Sequence, residues 1–333
     1  MKQTSMARGI WLTPVFLLVL NSQLSTVFAQ GSLTPPGAPA PMMKTLQQIE
    51  PRTPISAAPF TISTPGSYYL TTNVIAASGN AINLQADDVA LDLNGFLVSA
   101  PNGGSGIAAS NPQRNIRVVN GMIRNCANSG LSGGAIINGQ ARGLLVSNCG
   151  LGGIVLGENA LVQDCSALTN VNIGVSVGDG GLITHCVARG NGVGIGAGQY
   201  CQVTDCVSSF SSGDGIAIGF ASSVSRCVAS KNSGDGIQAT DDCSVTENRC
   251  VSNGSDGASS GIHLIGNYCR VEGNHAVDNS GRNLKLDIGS GSAVVRNTMN
   301  GGVTGAANNL FGPLLNSATA VTTNTNPHAN YSF

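Results

Sequence analysis

The chain has 333 residues, among them 45 glycines, with 10% charged and 4% aromatic residues and a formal net charge of -1. That near-neutral balance leaves no electrostatic footprint for nucleic acid or for an anionic membrane surface. Abundant glycine with few large rings suits a stacked coil whose core is a narrow column of aliphatic side chains.

Lys2 and Arg8 precede the apolar run from Ile10 to Leu20, and Val27, Phe28 and Ala29 supply small residues before a cut at Gln30. This is the layout of an export signal over residues 1–29, and the apolar run is too short for a comfortable membrane span. The mature chain is therefore expected outside the cell or on its surface, with no span left after signal removal. Residues 30–59 carry Pro35, Pro36, Pro39, Pro41, Pro51, Pro54 and Pro59 and read as a linker and candidate N-terminal cap.

From residue 60 the pattern turns to strands, with Ile82-Asn83-Leu84 and the run from Val89 to Gly95 forming a first full turn. A glycine followed by an alternating apolar pair then recurs at Gly153, Gly174, Gly194, Gly215 and Gly236, at intervals of 21, 20, 21 and 21 residues. Each unit adds an aliphatic residue with a cysteine three positions on, as in Val162 to Cys165, Ile183 to Cys186, Val203 to Cys206 and Val224 to Cys227. Period-two alternation inside so short a repeat predicts strands and tight bends with no helix. The fold class is thus all-β, a right-handed parallel β-helix solenoid over residues 60–300, of roughly ten turns of about 21 residues.

Ten cysteines in an exported chain would ordinarily announce disulfides. Here Cys126, Cys149, Cys165, Cys186, Cys206 and Cys227 share one repeat position, continued by Asn248, Asn274 and Asn297, and Cys201, Cys243 and Cys269 share another. Equivalent residues of successive turns stack, so the expectation is inward ladders of free, buried thiols, with stapled turns as the alternative. Zinc is disfavoured because no CxxC pair occurs. Residues 301–333 are rich in Gly, Asn, Thr and Ala and read as an irregular tail, with Leu310, Phe311, Leu314 and Leu315 as anchors and disorder as the competing reading.

The phrases PGSYYL at 65–70, DDVALDLNGF at 87–96 and NSGDGI at 232–237 resemble exported right-handed parallel β-helix proteins of the pectate-lyase-like superfamily. The resemblance covers residues 60–300. It implies the fold more than an activity, since that superfamily spans lyases, hydrolases, epimerases, tailspikes and adhesins. It also implies an internal asparagine ladder at one bend, where Asn248, Asn274 and Asn297 stand, and a substrate groove along the outer face of one sheet.

On that face alternation turns Ala108, Val155, Ser176, Gly196, Ala217, Gln238, His263 and Lys285 outward, so functional groups gather only in its last third. Lys285 or His263 is the candidate base of a polysaccharide elimination. Asp241 and Asp242 complete the candidate catalytic set, as acids of a hydrolase or as oxygen ligands of Ca²⁺. Gln238 and Asp287 are candidate substrate-binding residues, and the stacked Asp214 and Asp235 a second candidate Ca²⁺ pair. Against this, aspartate between glycines is a common bend residue. Residues 212–218 partly match a polygalacturonase phrase, but Gly215 replaces its second acid and no Gly-His-Gly follows. Asp164, His185, Asp205, Arg226 and Glu247 form a further column, read as a surface ion-pair ladder.

Two functions stay open. One is a non-catalytic extracellular or cell-surface scaffold whose stacked face contacts glycans or other surface polymers. The other is a polysaccharide lyase or glycoside hydrolase. The short turns favour the first, because a catalytic groove usually needs long loops to wall it. No cofactor is required by the first reading, and Ca²⁺ is the candidate for the second.

Overall fold

The structure, a computed structural model, describes residues 50–255, 257–287, 291–300, 303–304, 314–316 and 330–332. The signal and most of the linker, together with Leu310 and Phe311, lie outside the described residues. The coil belongs to the compact unit that begins at Pro51.

Thirty-five short strands wind into a right-handed parallel β-solenoid of about 11 turns of roughly 22 residues, with no helix among the described residues. The average turn is longer than the central repeat because the turns before Ile154 and the one between Ile237 and Ile262 are expanded. Twelve strands stack into one sheet, and 23 form a second that folds around the remaining two faces. The second is continuous because strands such as Gln140–Ser147 run through the corner and pair with both Leu161–Gln163 and Ser166–Leu168. Among the described residues no helix is long and apolar enough to cross a membrane.

Two segments expected to be irregular join the coil. Thr53–Ile55, inside the proline-rich stretch, pairs in parallel with Gly66–Leu70. Pro54 is tolerated because the strand stands at the end of the stack, where one edge is unpaired. Near the other end Val303–Thr304 pairs with Arg282–Leu286, and Leu314–Asn316 and Asn330–Ser332 pair with each other.

Inside, Ile154, Val175, Ile195, Ile216, Ile237 and Ile262 stack in one fully buried column, and Val162, Ile183, Val203, Val224, Val245 and Val271 in another. All ten cysteines are free and buried. Each stacks on its neighbours, with the Cys186 and Cys206 N–H groups donating to Sγ of Cys206 and Cys227 at 3.4 Å. Burial pushes the Cys201 and Cys250 thiols up, so these groups pack as small apolar bodies.

The asparagine column continues the cysteines as the resemblance implied: the N–H groups of Cys227, Asn248, Asn274 and Asn297 donate to Oδ1 of Asn248, Asn274, Asn297 and Asn330 at 2.9 to 3.0 Å. A second ladder, unanticipated, runs through the bend before the twelve-stranded sheet. Asn170 N–H donates to Asn191 Oδ1 at 2.9 Å, Ser211 N–H to Asn232 Oδ1 at 3.0 Å, and Asn232 N–H to Asn253 Oδ1 at 3.1 Å. This ladder explains the repeated glycine. A Cβ on Gly215 would stand 2.5 Å from Asn232 Nδ2, and one on Gly236 would stand 2.7 Å from Asn253 Nδ2. In these turns the glycine is the floor on which the next turn's asparagine lies, whereas Gly194 meets Ser208 instead.

Two outcomes are expected for stability. Asn232→Ala leaves the buried Ser211 N–H without its acceptor and removes one of the two donors to Asn253 Oδ1, and is expected to lower stability by about 1–3 kcal/mol, read from urea unfolding. An aromatic disulfide reagent is expected to find no reactive thiol in the native protein and all ten cysteines after denaturation.

Candidate functional site

The outward column of the twelve-stranded sheet is continuous in register, running Ala108, Ser132, Val155, Ser176, Gly196, Ala217, Gln238, His263 and Lys285. Parallel pairing in strict register sets equivalent residues about 4.8 Å apart. Small neutral side chains occupy its middle, and polar groups its last three rungs.

His263 is the centre of that end. Its Nδ1 lies 2.7 Å from Asp235 Oδ2, and its Nε2 lies 2.7 Å from Asp287 Oδ2. Only the imidazolium donates from both nitrogens, so two acceptors facing one ring call for the protonated form. Lys285 Nζ reaches Asp287 Oδ1 at 3.1 Å, and Ser260 N–H donates to Asp235 Oδ1 at 2.5 Å. Gln238 Nε2 stands 3.5 Å from Asp235 Oδ2, at the outer limit of a hydrogen bond. The His263 and Asp235 side chains are 11% and 6% exposed, whereas Asp287 and Lys285 are 42% and 31% exposed.

The Asp235 carboxylate, and next the Asp287 carboxylate, hold His263 protonated above its ordinary range against the opposing effect of burial. His263 and then Lys285 hold Asp287 below the usual carboxylate range. Two carboxylates and two cations make the cluster neutral and internally paired.

The remaining candidates sit elsewhere in the coil. Asp241 and Asp242 lie at the bend after Ile237–Ala239, on the opposite border of the strip from Asp235. Asp241 Oδ1 accepts the Asn267 N–H at 2.8 Å, and Asp242 takes a left-handed backbone with φ 57°. Asp214 Oδ1 accepts the Asp235 N–H at 2.7 Å, and Asp179 Oδ1 accepts the Gln199 N–H at 2.8 Å. These carboxylates each satisfy a backbone donor one turn on, the work of a bend residue. Asp235 is turned to His263, so it and Asp214 do not face each other across a common cavity. Among the described residues no three His, Cys, Asp or Glu side chains gather in a way that would hold a metal ion.

The column of Asp164, His185, Asp205, Arg226 and Glu247 is a bend column too, with every residue at φ between 52° and 59°. Arg226 pairs with Asp205 at 2.8 Å and holds that exposed carboxyl at about 2, while His185 Nδ1 turns to Thr184 Oγ1 at 2.8 Å. Asp164 pairs outside the column, with Arg142 at 3.3 Å, so among the described residues the column holds one internal pair rather than a continuous ladder.

Sequence reasoning missed the aromatic border of the strip. Tyr200, Ala221, Asp242, Tyr268 and Gly291 occupy equivalent left-handed bend positions, just before the inward Cys201, Ser222, Cys243, Cys269 and Ser292. Tyr200 is 61% and Tyr268 66% exposed. Phe220 packs edge-on against Tyr200 with ring centroids 5.6 Å apart, and the Tyr268 ring lies against Gly291 of the following turn. The signal was the position before the second cysteine column.

The His263 network makes a pH prediction. Its raised pKa contributes stability that is fully present below the unfolded value near 6.5 and is lost as pH rises through the folded value. The depressed Asp287 contributes stability that is present above its unfolded value and is lost as pH falls through the folded one. The imidazole resonances of His263 are expected to titrate above about 6.5 by NMR, and Asp235→Asn is expected to move that midpoint down.

No protein-family model matches the chain, and no curated protein matches its sequence. Among solved structures, the A-module of a mannuronan C-5 epimerase from Azotobacter vinelandii is similar, with TM-score 0.56 and 15% identity over 80% of this chain and 79% of that one. The enzymatically active domain of tailspike protein 2 from bacteriophage CBA120 is similar at TM-score 0.52 and 14% identity, over 72% of this chain and 48% of that one. At such identities the likeness concerns the backbone, and what it shows is the fold, a right-handed parallel β-helix.

Proposed function

We propose that this is an exported, non-catalytic β-helix whose outer strip contacts glycans or other surface polymers. The observation that carries the reading is the pair of exposed rings, Tyr200 and Tyr268, on one border of a long flat strip. Tyrosine offers an apolar body with a polar tip, which suits the apolar face and hydroxyl rim of a pyranose. The two rings stand three rungs apart, about 14 Å at the spacing of parallel strands, a span of several sugar units. Export rests on the charged, apolar and small-residue order of residues 1–29.

The polar cluster supports binding over turnover. A general base needs a nitrogen able to take a proton, and both His263 nitrogens already face carboxylates. Lys285 is likewise paired with Asp287. Catalysis is a second reading, favoured by the convergence of Lys285, His263 and Asp287 within hydrogen-bond distance on the outer face. The similar backbones belong to a mannuronan epimerase module and to a tailspike domain described as enzymatically active, which lends support to a polymer as partner under either reading.

The test is retention of the mature protein on a panel of immobilised glycans, run beside assays for unsaturated and reducing ends. Retention that drops in Tyr268→Ala, with no product formed, is the expected result. Product that disappears in Lys285→Ala would overturn the non-catalytic reading.

A further inference from the structure

Charge is segregated around the coil. In the turns spanning 153–268, Glu158, Asp179, Asp241 and Asp242 lie on the aromatic border of the strip, and Asp214 and Asp235 on the opposite border. The cations of these turns belong to the other faces. Arg189 and Lys231 stand 4.0 and 5.4 Å from the Phe210 ring centroid, Arg226 pairs with Asp205, and Arg249 opens the strand Arg249–Val251 of the second sheet. The cation on the strip in this stretch is His263, and it is matched by Asp235. Beyond it Lys285 is matched by Asp287, and Arg282 adds one positive charge at the far end. A chain of formal net charge -1 therefore presents a negative strip edged with exposed rings.

That combination selects a partner by sign. A polyuronate brings a carboxylate to every residue and meets like charge along both borders. An ammonium group is attracted by the carboxylates and by the faces of Tyr200, Phe220 and Tyr268, since aromatic faces hold cations. Resting on the glycan-contact reading above, we infer that the partner is a polysaccharide bearing protonated amino groups, of the glucosamine type, lying along the strip between Tyr200 and Tyr268. Its sugar faces pack on the rings, and its ammonium groups lie toward Asp179, Asp241 and Asp242.

The experiment is calorimetric titration of the mature protein at low salt and mildly acidic pH with three hexamers: β-1,4-linked glucosamine, its fully N-acetylated counterpart and β-1,4-linked mannuronate. The amino hexamer is expected to bind at least about tenfold tighter than the acetylated one. It is also expected to lose about tenfold when ionic strength rises from roughly 0.05 to 0.3 M or when the amines are neutralised by raising the pH. Asp241→Asn with Asp242→Asn keeps the bend, since asparagine accepts the same backbone bond and tolerates left-handed geometry. This pair of changes is expected to weaken the amino hexamer about fivefold while leaving the acetylated one unchanged. Equal or tighter binding of the acetylated or mannuronate hexamer would overturn the charge inference and leave glycan contact standing. Binding of none of the three, by protein shown to be folded by circular dichroism, would overturn both.

Discussion

The contact on which the rest of the molecule depends is the approach of five turns' glycines to the asparagine of the next turn. Gly153, Gly174, Gly215, Gly236 and Gly261 each lie where a Cβ would meet an asparagine Nδ2 one turn on, at 2.5 to 2.7 Å. The same asparagines hand their Oδ1 atoms to the preceding turn's N–H groups and their Nδ2 atoms to carbonyls further back, as Asn232 does with Ser208 and Asn253 with Ala229. A buried amide with its donors and acceptor all matched adds stability, whereas one left unmatched removes more than it would have added. The ladder therefore fixes the phase of the turns it joins at one bend, and the cysteine and asparagine column does so at another.

Phase-locking has a consequence for surface chemistry. Where successive turns keep the same length, no loop rises to wall the outer strip, and the residues on it stay small. Polar side chains at the bends are recruited to satisfy the backbone of the adjacent turn, as Asp179, Asp214 and Asp241 do. Relief comes at the one expanded central turn, between Ile237 and Ile262. There the chain swings out and returns through Ser260, whose N–H takes Asp235 Oδ1 and leaves Oδ2 to face His263. The cluster of functional groups thus arises where the regular repeat is broken, and its members reach across 28 and 24 positions of sequence.

The legibility of the sequence reflects this physics. The period, the inward aliphatic columns, the thiol column and the outward run from Gln238 to Lys285 are properties of equal turns, and an equal spacing can be counted. Asp235 and His263 were both visible as polar residues at the end of the strip, but their pairing depends on the expanded turn and could not be counted. The Asn170 to Asn253 ladder was hidden because asparagine near glycine reads as ordinary bend chemistry, and because Ser211 interrupts it. Tyr200 and Tyr268 escaped notice because the left-handed bends of this coil take residues of every size, Phe210, Arg226 and Lys231 among them, so no repeat position marks an exposed ring.

Large side chains at exposed bends bear on the surface the coil presents. A left-handed tyrosine, 66% exposed, gains little from burial and carries the backbone penalty of a bulky residue in that region. Alanine and aspartate fill the equivalent left-handed positions at 221 and 242. Tyr200 packs edge-on against Phe220 and Tyr268 lies against Gly291, and the rest of each ring stays exposed. The charge on either side then bears on what can meet that exposed part. Asp179, Asp214 and Asp241 accept backbone donors while bordering the strip, so its carboxylates are a by-product of how the bends are held. A partner that meets Tyr268 also meets the field of Asp241 and Asp242. On the proposed glycan-contact reading, the two features together favour a partner that is apolar in face and positive in charge, and its sign would be set by the same bend residues that keep the turns in phase.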